Sequence, residues 1–297
     1  MSKVVSIWVS LALCFLTTAG YAQRNKPKRS TRTSRSVSAN GNAVDRDTAE
    51  KKKRASLDAT NAMVLASVGP ELGIRSFSYN QALLGGLRSY SNNAIPMGSV
   101  GVEFYPLATS GTPIVRDIGL VGRFGTSLSF DSKTQSGDQS AKGTWSRYAV
   151  GARGRIHAGD GPGQVLVGIE AMYGDSKFEF TGTDALVASI PSIDYKYIRG
   201  GAEVRIPFGA FALLGGAGYV NILSTGPFGD KFPHATIGGV DAKIAATYRV
   251  AQNVELLASG DYLRVFSKLN PRPGETFVAG GALDQYFVFR AGVSLLF

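Results

Sequence analysis

From Met63 to the C-terminus, apolar residues fall on alternate positions in segments of roughly ten to sixteen residues, the period of a strand with one greasy and one polar face. Stretches rich in Gly, Pro, Asn and Ser separate the segments. The pattern predicts ten strands, at 63–79, 97–106, 115–130, 143–156, 164–180, 192–206, 210–222, 236–250, 254–267 and 285–297. Eight or twelve strands remain as alternatives, because Ala185-Leu186-Val187 within 181–191 can extend a hairpin. Connections alternate in length. Long ones are expected at 80–96, 131–142, 181–191, 223–235 and 268–284, and short ones at 107–114, 157–163, 207–209 and 251–253. Short turns at one end and long loops at the other are the habit of transmembrane barrels.

The faces are cleanly sorted. Ile118, Leu120, Gly122, Phe124, Thr126 and Leu128 lie opposite Asp117, Arg123 and Ser127. Tyr148, Val150, Ala152, Gly154 and Ile156 lie opposite Arg147, Arg153 and Arg155. Val240, Ala242, Ile244, Ala246 and Tyr248 lie opposite Asp241, Lys243 and Arg249. Aromatic residues of the apolar face gather near the two ends of the strands, with aliphatic or small residues between them. Lipid interfaces explain that distribution and a soluble sandwich does not. The expected fold class is therefore all-β, a closed antiparallel transmembrane β-barrel. Closure leaves no unpaired edge in a solvent that cannot satisfy one.

The last segment carries the most specific signal. Phe297, Leu295, Val293, Ala291, Phe289 and Phe287 share one face, and the chain ends on Phe297. With Phe297, Leu295, Val293 and Phe289 as its main positions, this segment resembles the C-terminal assembly signal of bacterial outer-membrane barrels. Over about residues 63–297 the chain resembles the broad family of small barrels of that membrane. The resemblance implies an outer-membrane location, contact with outer-membrane lipid and insertion by the barrel assembly machinery.

The polar face then lines the lumen, with Glu71, Arg75, Glu103, Asp117, Arg123, Arg147, Arg153, Arg155, Glu170, Arg199, Glu203, Arg205, Asp241, Lys243, Arg249, Glu255, Asp261 and Arg290. Ten strands enclose a narrow space, so these side chains are expected to pair across it as a hydrated, salt-bridged plug rather than to line an open pore.

Charge adds an N-terminal region to this picture. The chain has 297 residues and a formal charge of +10. Residues 23–57 hold 11 Lys/Arg against 3 Asp/Glu, whereas residues 58–297 hold 20 against 19. The excess sits in one arm, which is too polar to form a core. Residues 1–22 read as a secretory signal: Lys3, the apolar run Val4–Leu16, and Gly20-Tyr21-Ala22 before a cleavage site. The expected organisation is a signal peptide (1–22), a basic disordered periplasmic arm (23–62) and the barrel (63–297). The arm reads as a solvated leader, with a tether to anionic cell-wall polymer or lipid as the alternative. Export argues against nucleic acid as a partner.

Little chemistry is on offer. The single cysteine, Cys14, lies in the signal, and the chain has two histidines, so a nitrogen/sulfur zinc cluster is not expected. Gly215-Gly216-Ala217-Gly218 lies in a strand pattern without the Lys-Ser/Thr of a phosphate loop. No cofactor is expected. His157 falls in a short turn. His234, near Asp230 in a long loop, is a weak candidate for a general base. Three roles follow: a structural or surface-interaction barrel, a narrow solute channel with a charged lumen, or a rim hydrolase or acyltransferase. The first fits the residues best.

Overall fold

The computed structural model describes residues 59, 61–83, 87–110, 112, 114–133, 140–159, 164–182 and 192–297. The signal peptide and the arm over 23–57 lie outside the described residues, as do parts of the connections expected at 131–142 and 181–191. The strands are β1 (Val64–Asn80), β2 (Tyr90–Phe104), β3 (Ile118–Ser127), β4 (Phe130–Lys133), β5 (Ser140–Ala158), β6 (Val165–Gly182), β7 (Ile193–Phe208), β8 (Phe211–Ser224), β9 (Thr236–Ala251), β10 (Val254–Lys268) and β11 (Gly281–Leu296). One short helix, α1 (Pro227–Lys231), lies between β8 and β9, and a 3₁₀ turn (Ile114–Asp117) precedes β3.

Apart from β3 and β4, neighbours in sequence pair antiparallel. β1 also pairs with β11, and β3 pairs with β5, so the circuit closes. β4 pairs only with β5 and continues the line of β3 after an interruption at Leu128-Ser129. The eleven segments therefore occupy ten wall positions, the number the alternation predicts.

Burial is inverted relative to a soluble protein. Large apolar side chains point outward: Ile244 is 71% exposed, Leu120 61% and Ile169 55%. Arg153, Arg155, Glu170, Glu203 and Glu255 are buried inside. Outward aromatics form two rings. Phe104, Phe208, Phe211, Tyr248 and Phe297 lie toward the terminal end, where β1 begins and β11 ends, and Phe124, Tyr148, Tyr173, Tyr219, Phe266 and Phe287 toward the loop end. Phe211 and Tyr248 touch across the β8–β9 pair, their ring centroids 4.5 Å apart. Phe289 and Val293 continue the outward phase of Phe287 and Leu295, and all four lie on β11.

Several connections differ from the sequence-based expectation. The loops expected at 80–96, 131–142, 181–191 and 268–284 are shorter, because β2 starts at Tyr90, β5 at Ser140 and β11 at Gly281, while β6 runs to Gly182. These strand ends project past the outward aromatic ring, where nothing requires an apolar outer face, so the alternation that marks a strand fades there. Conversely, the connection expected at 107–114 extends over 105–117 and folds beneath the barrel, with Tyr105 fully buried and Asp117 nearly so. Two-residue turns at 209–210 and 252–253 close the terminal end elsewhere, and Gly209 takes φ +68° in the first.

Within β2 the register slips between Gly73 and Ile74 of β1, which leaves Ala94 as an extra residue at φ +122°. That backbone region belongs almost wholly to glycine. Ala94 is exposed, so a glycine there loses no packing. Ala94→Gly is expected to stabilise the barrel by about 1 kcal/mol, read as a higher midpoint in urea unfolding. An unchanged or lower midpoint would show that the bulge carries no strain.

Candidate functional site

The lumen is where the sequence concentrates its charge, and it is built in three layers. The floor lies at the terminal end. Ala59 and Ala62, on the arm side of the boundary expected at 63, are buried against Leu296 of β11. The Nη1 of Arg155 donates to the carbonyls of Ala59 (3.2 Å) and Ala62 (3.3 Å). Its guanidinium lies 3.4 Å from the ring centroid of Tyr105, a close cation–π contact. The Tyr105 hydroxyl donates to Glu103 (2.9 Å), and burial pushes its pKa well above the ordinary phenol value, so it stays a donor. Asp117 sits in the 3₁₀ turn rather than on a strand. It takes Arg116 (3.3 Å) and His157 (2.9 Å) as partners, with Arg155 at 3.7 Å. His157, expected as a turn residue, therefore lies on β5, one residue before its end, as part of this floor.

The middle layer is a lattice of ion pairs between strands distant in sequence. Arg205 donates to both oxygens of Glu255 (2.9 Å each) and to Thr247 (3.1 Å), and Arg249 approaches Glu255 at 3.6 Å. Arg153 bonds Glu203 (2.7 Å) and reaches Glu103 (3.4 Å) and Glu170 (3.5 Å), while Lys243 shares Glu203 (3.2 Å). Arg199 forks onto Asp241 (2.9 and 2.7 Å) and also pairs with Glu170, which accepts Arg123 at 3.0 Å as well. Arg147 pairs with Glu71. Period-two alternation delivers all these side chains to one enclosed space, and each carboxylate meets a base there. Such pairs are weak evidence of net stabilisation, but removing one partner leaves a buried charge uncompensated.

The loop-end layer departs from expectation. Instead of continuing the hydrated salt-bridged plug, the lumen fills with apolar and aromatic side chains: Phe77, Ile95, Trp145, Phe178, Phe180 and Tyr195 are each 4% exposed or less. Two glycines leave room for the rings. A Cβ on Gly73 would lie 2.6 Å from Trp145, and one on Gly143 would lie 2.3 Å from Phe130. From above, α1 and the residue that follows it insert Phe228 and Phe232. Phe228 packs edge-on to Phe77 (6.0 Å) and Phe232 against Tyr79 (6.0 Å). The physical reason is height. At this level the wall meets no lipid, and its inward face can be covered by its own loops rather than by water.

Inside that plug sits one ion pair. Arg75 is fully buried and holds Asp284 through two bonds, Nε at 3.0 Å and Nη2 at 2.8 Å. The same carboxylate accepts the hydroxyls of Tyr195 (3.0 Å) and Tyr286 (2.8 Å). The Arg75 guanidinium lies 4.1 Å from the Phe178 centroid, 5.0 Å from Tyr90 and 5.1 Å from Tyr286. Alternation puts Arg75 in the lumen, whereas Asp284 falls within the loop expected at 268–284 but lies on β11. The available signal was phase, because Asp284 continues the inward series Arg290, Val288, Tyr286.

Arg290 and Asp261 complete the charged positions. Arg290 donates to Ser67 (3.1 Å), and Asp261 accepts from Ser259 (3.4 Å). At the rim, His234 faces Glu275 (3.5 Å) from the β10–β11 loop, not the Asp230 beside it in sequence, and Asn270 donates to its carbonyl (3.1 Å). Among the described residues no cluster of three or more His, Cys, Asp or Glu is arranged to hold a metal.

No protein-family model matches the chain, and no curated protein matches it. Solved structures similar to it include the outer membrane protease OmpT from Escherichia coli, at 13% identity and a TM-score of 0.44, covering 82% of this chain and 100% of that one. The translocator domain of the autotransporter NalP from Neisseria meningitidis is 15% identical with a TM-score of 0.38, covering 86% and 97%. Neisserial surface protein A is 9% identical with a TM-score of 0.33, covering 78% and 97%. The assignment as a closed transmembrane β-barrel rests on the strand circuit and the inverted burial of this chain itself.

Proposed function

We propose that this chain is an outer-membrane barrel with a structural or surface-interaction role, closed to solutes and displaying its loop end outside the cell. The observation that carries the reading is the aromatic plug. A channel needs a wet path from end to end, and here Phe77, Trp145, Phe178 and Tyr286 fill the section beneath α1. The belt of outward aliphatic residues between two aromatic rings supports the membrane placement. In this reading the barrel assembly machinery inserts the chain through its final strand, with Phe297, Leu295, Val293 and Phe289 facing the machinery or lipid. A cleaved signal at 1–22 directs export. The basic arm over 23–57 extends into the periplasm as a solvated leader, and neither nucleic acid nor a cofactor takes part. We assign no enzymatic activity; His234 with Glu275 is the one rim pair worth replacing in a phenotype assay.

Two measurements test this. The protein should fractionate with the outer membrane and migrate differently on gels before and after boiling. In planar bilayers the folded protein should give no steady unitary conductance. Reproducible unitary steps would overturn the closed-barrel reading and favour the channel.

A further inference from the structure

Below the plug the lumen holds cavities of about 190 and 110 Å³, and Arg123, Lys243 and Arg290 line both. Their walls are not electrically even. Three carboxylates are covered by the bases they pair with, the side chains of Glu71 and Glu170 at 4% exposure and that of Glu255 at 3%, while Asp241 and Glu103 are partly open. Three bases stay open, Arg123 at 38%, Arg147 at 28% and Lys243 at 25%, whereas Arg199 and Arg205 are mostly covered. A guanidinium has five N–H donors and no acceptor. Asp261 lines the larger cavity without a base, but the bases there (Arg123, Arg147, Arg199, Lys243 and Arg290) outnumber the acids (Glu71, Asp241 and Asp261), so the groups facing the space are mainly donors.

Arg290 sharpens this. Alone among the lumen arginines, it has no carboxylate within 4.0 Å among the described residues. One Nη2 bond to Ser67 is its polar contact, and its Nε is buried without a partner. The charged groups around it are Glu71, Asp261, Arg147 and Arg123. Glu71 is taken by Arg147, and Asp261 stays beyond ion-pair distance. Water alone is a poor complement to such a wall, since each molecule brings as many donors as acceptors. An anion brings acceptors only, and charge-assisted bonds to it are the strong ones.

We propose that the larger cavity is a binding site for a small inorganic anion, of phosphate size or smaller, held by Arg290 with Arg147 and Arg123. The site lies between the plug and the Arg155–Tyr105 floor, so it is a resident-ion site and not a stage of conduction. It stands whether or not the closed-barrel reading survives.

The test uses the full-length protein purified in a zwitterionic detergent. Inorganic phosphate is titrated at constant ionic strength, balanced with a bulky organic sulfonate, while the heat-unfolding midpoint is followed and binding is measured by calorimetry. A saturable rise in midpoint with a matching saturable heat is expected. Arg290→Gln should weaken phosphate binding roughly ten-fold or more, whereas Arg264→Gln, on the outer face, should leave it unchanged. A non-saturable rise, or equal behaviour of the two variants, means a general salt effect and overturns the site. Should Arg290→Gln fail to fold, the wild-type calorimetry still decides: no saturable heat with phosphate or with chloride removes the proposal.

Discussion

Replacing Asp284 by Ala is expected to destabilise the barrel by about 3–5 kcal/mol, the usual cost of leaving one member of a buried ion pair alone. Arg75 has no other acid at ion-pair distance among the described residues, and its Nη1 is already buried without a partner. Around it stand rings whose faces attract the cation but cannot replace a bidentate carboxylate. The hydroxyls of Tyr195 and Tyr286 lose their acceptor in the same variant. Asp284→Asn should also destabilise, because the amide restores shape without charge. The double variant Arg75→Met/Asp284→Leu is expected to recover most of the loss, since apolar replacements of matched volume often equal a buried pair. Urea unfolding followed by heat-dependent gel mobility measures all three. A loss under about 1 kcal/mol in Asp284→Ala would mean that water enters the plug and that the layer is not sealed.

Ile244→Arg is the second large effect, an expected loss of about 2–4 kcal/mol in a bilayer. Ile244 faces outward on β9, paired with Gly215 and Gly260 and set between Val240 and the terminal-end ring at Tyr248. At mid-belt depth a guanidinium has no short route to water. The neighbouring Lys243 points the other way and meets Glu203, so one step along the strand changes the solvent completely. Stability would be measured in lipid vesicles, with Tyr248→Arg as the shallow control, which should lose much less. If both variants were neutral and the protein stayed in aqueous solution, the outward face would be a water-facing surface and the membrane reading would fall.

Strand number, closure and the sorting of faces were legible in the sequence because lipid enforces period two. Within the belt every outward residue must be apolar, so Leu120, Val150, Ile169 and Ile244 mark their strands unambiguously. Above the belt that pressure ends. Tyr90-Ser91-Asn92-Asn93 read as loop, and Asp284 was lost with the segment before Gln285, although both lie on strands. The plug was illegible for a further reason. Phe228 and Phe232 sit in a connection whose composition marks a turn, and nothing local says that it folds back over the mouth. Individual pairings escaped as well. Alternation places Arg153 and Glu203 in one lumen, but which acid meets which base depends on stagger around the wall, a property of the closed ring. His234 shows the same limit, since its carboxylate neighbour comes from another loop.

The joining of β1 to β11 bears on how the molecule forms. Every other wall contact links neighbouring segments or, for β3 and β5, segments separated only by the short β4, and these can zip as hairpins soon after they meet. This one unites the two extremities, aligning Leu65 with Leu296 and Asn80 with Gly281. Its loop-closure entropy is the largest in the molecule, and contacts of such long range slow folding. Ala59 and Ala62 find their shelter against Leu296, and the Arg155 grip on their carbonyls presupposes a finished ring. The stretch just ahead of the first strand therefore locks down at the final kinetic step, and its protection from a protease would serve as a clock for completed assembly.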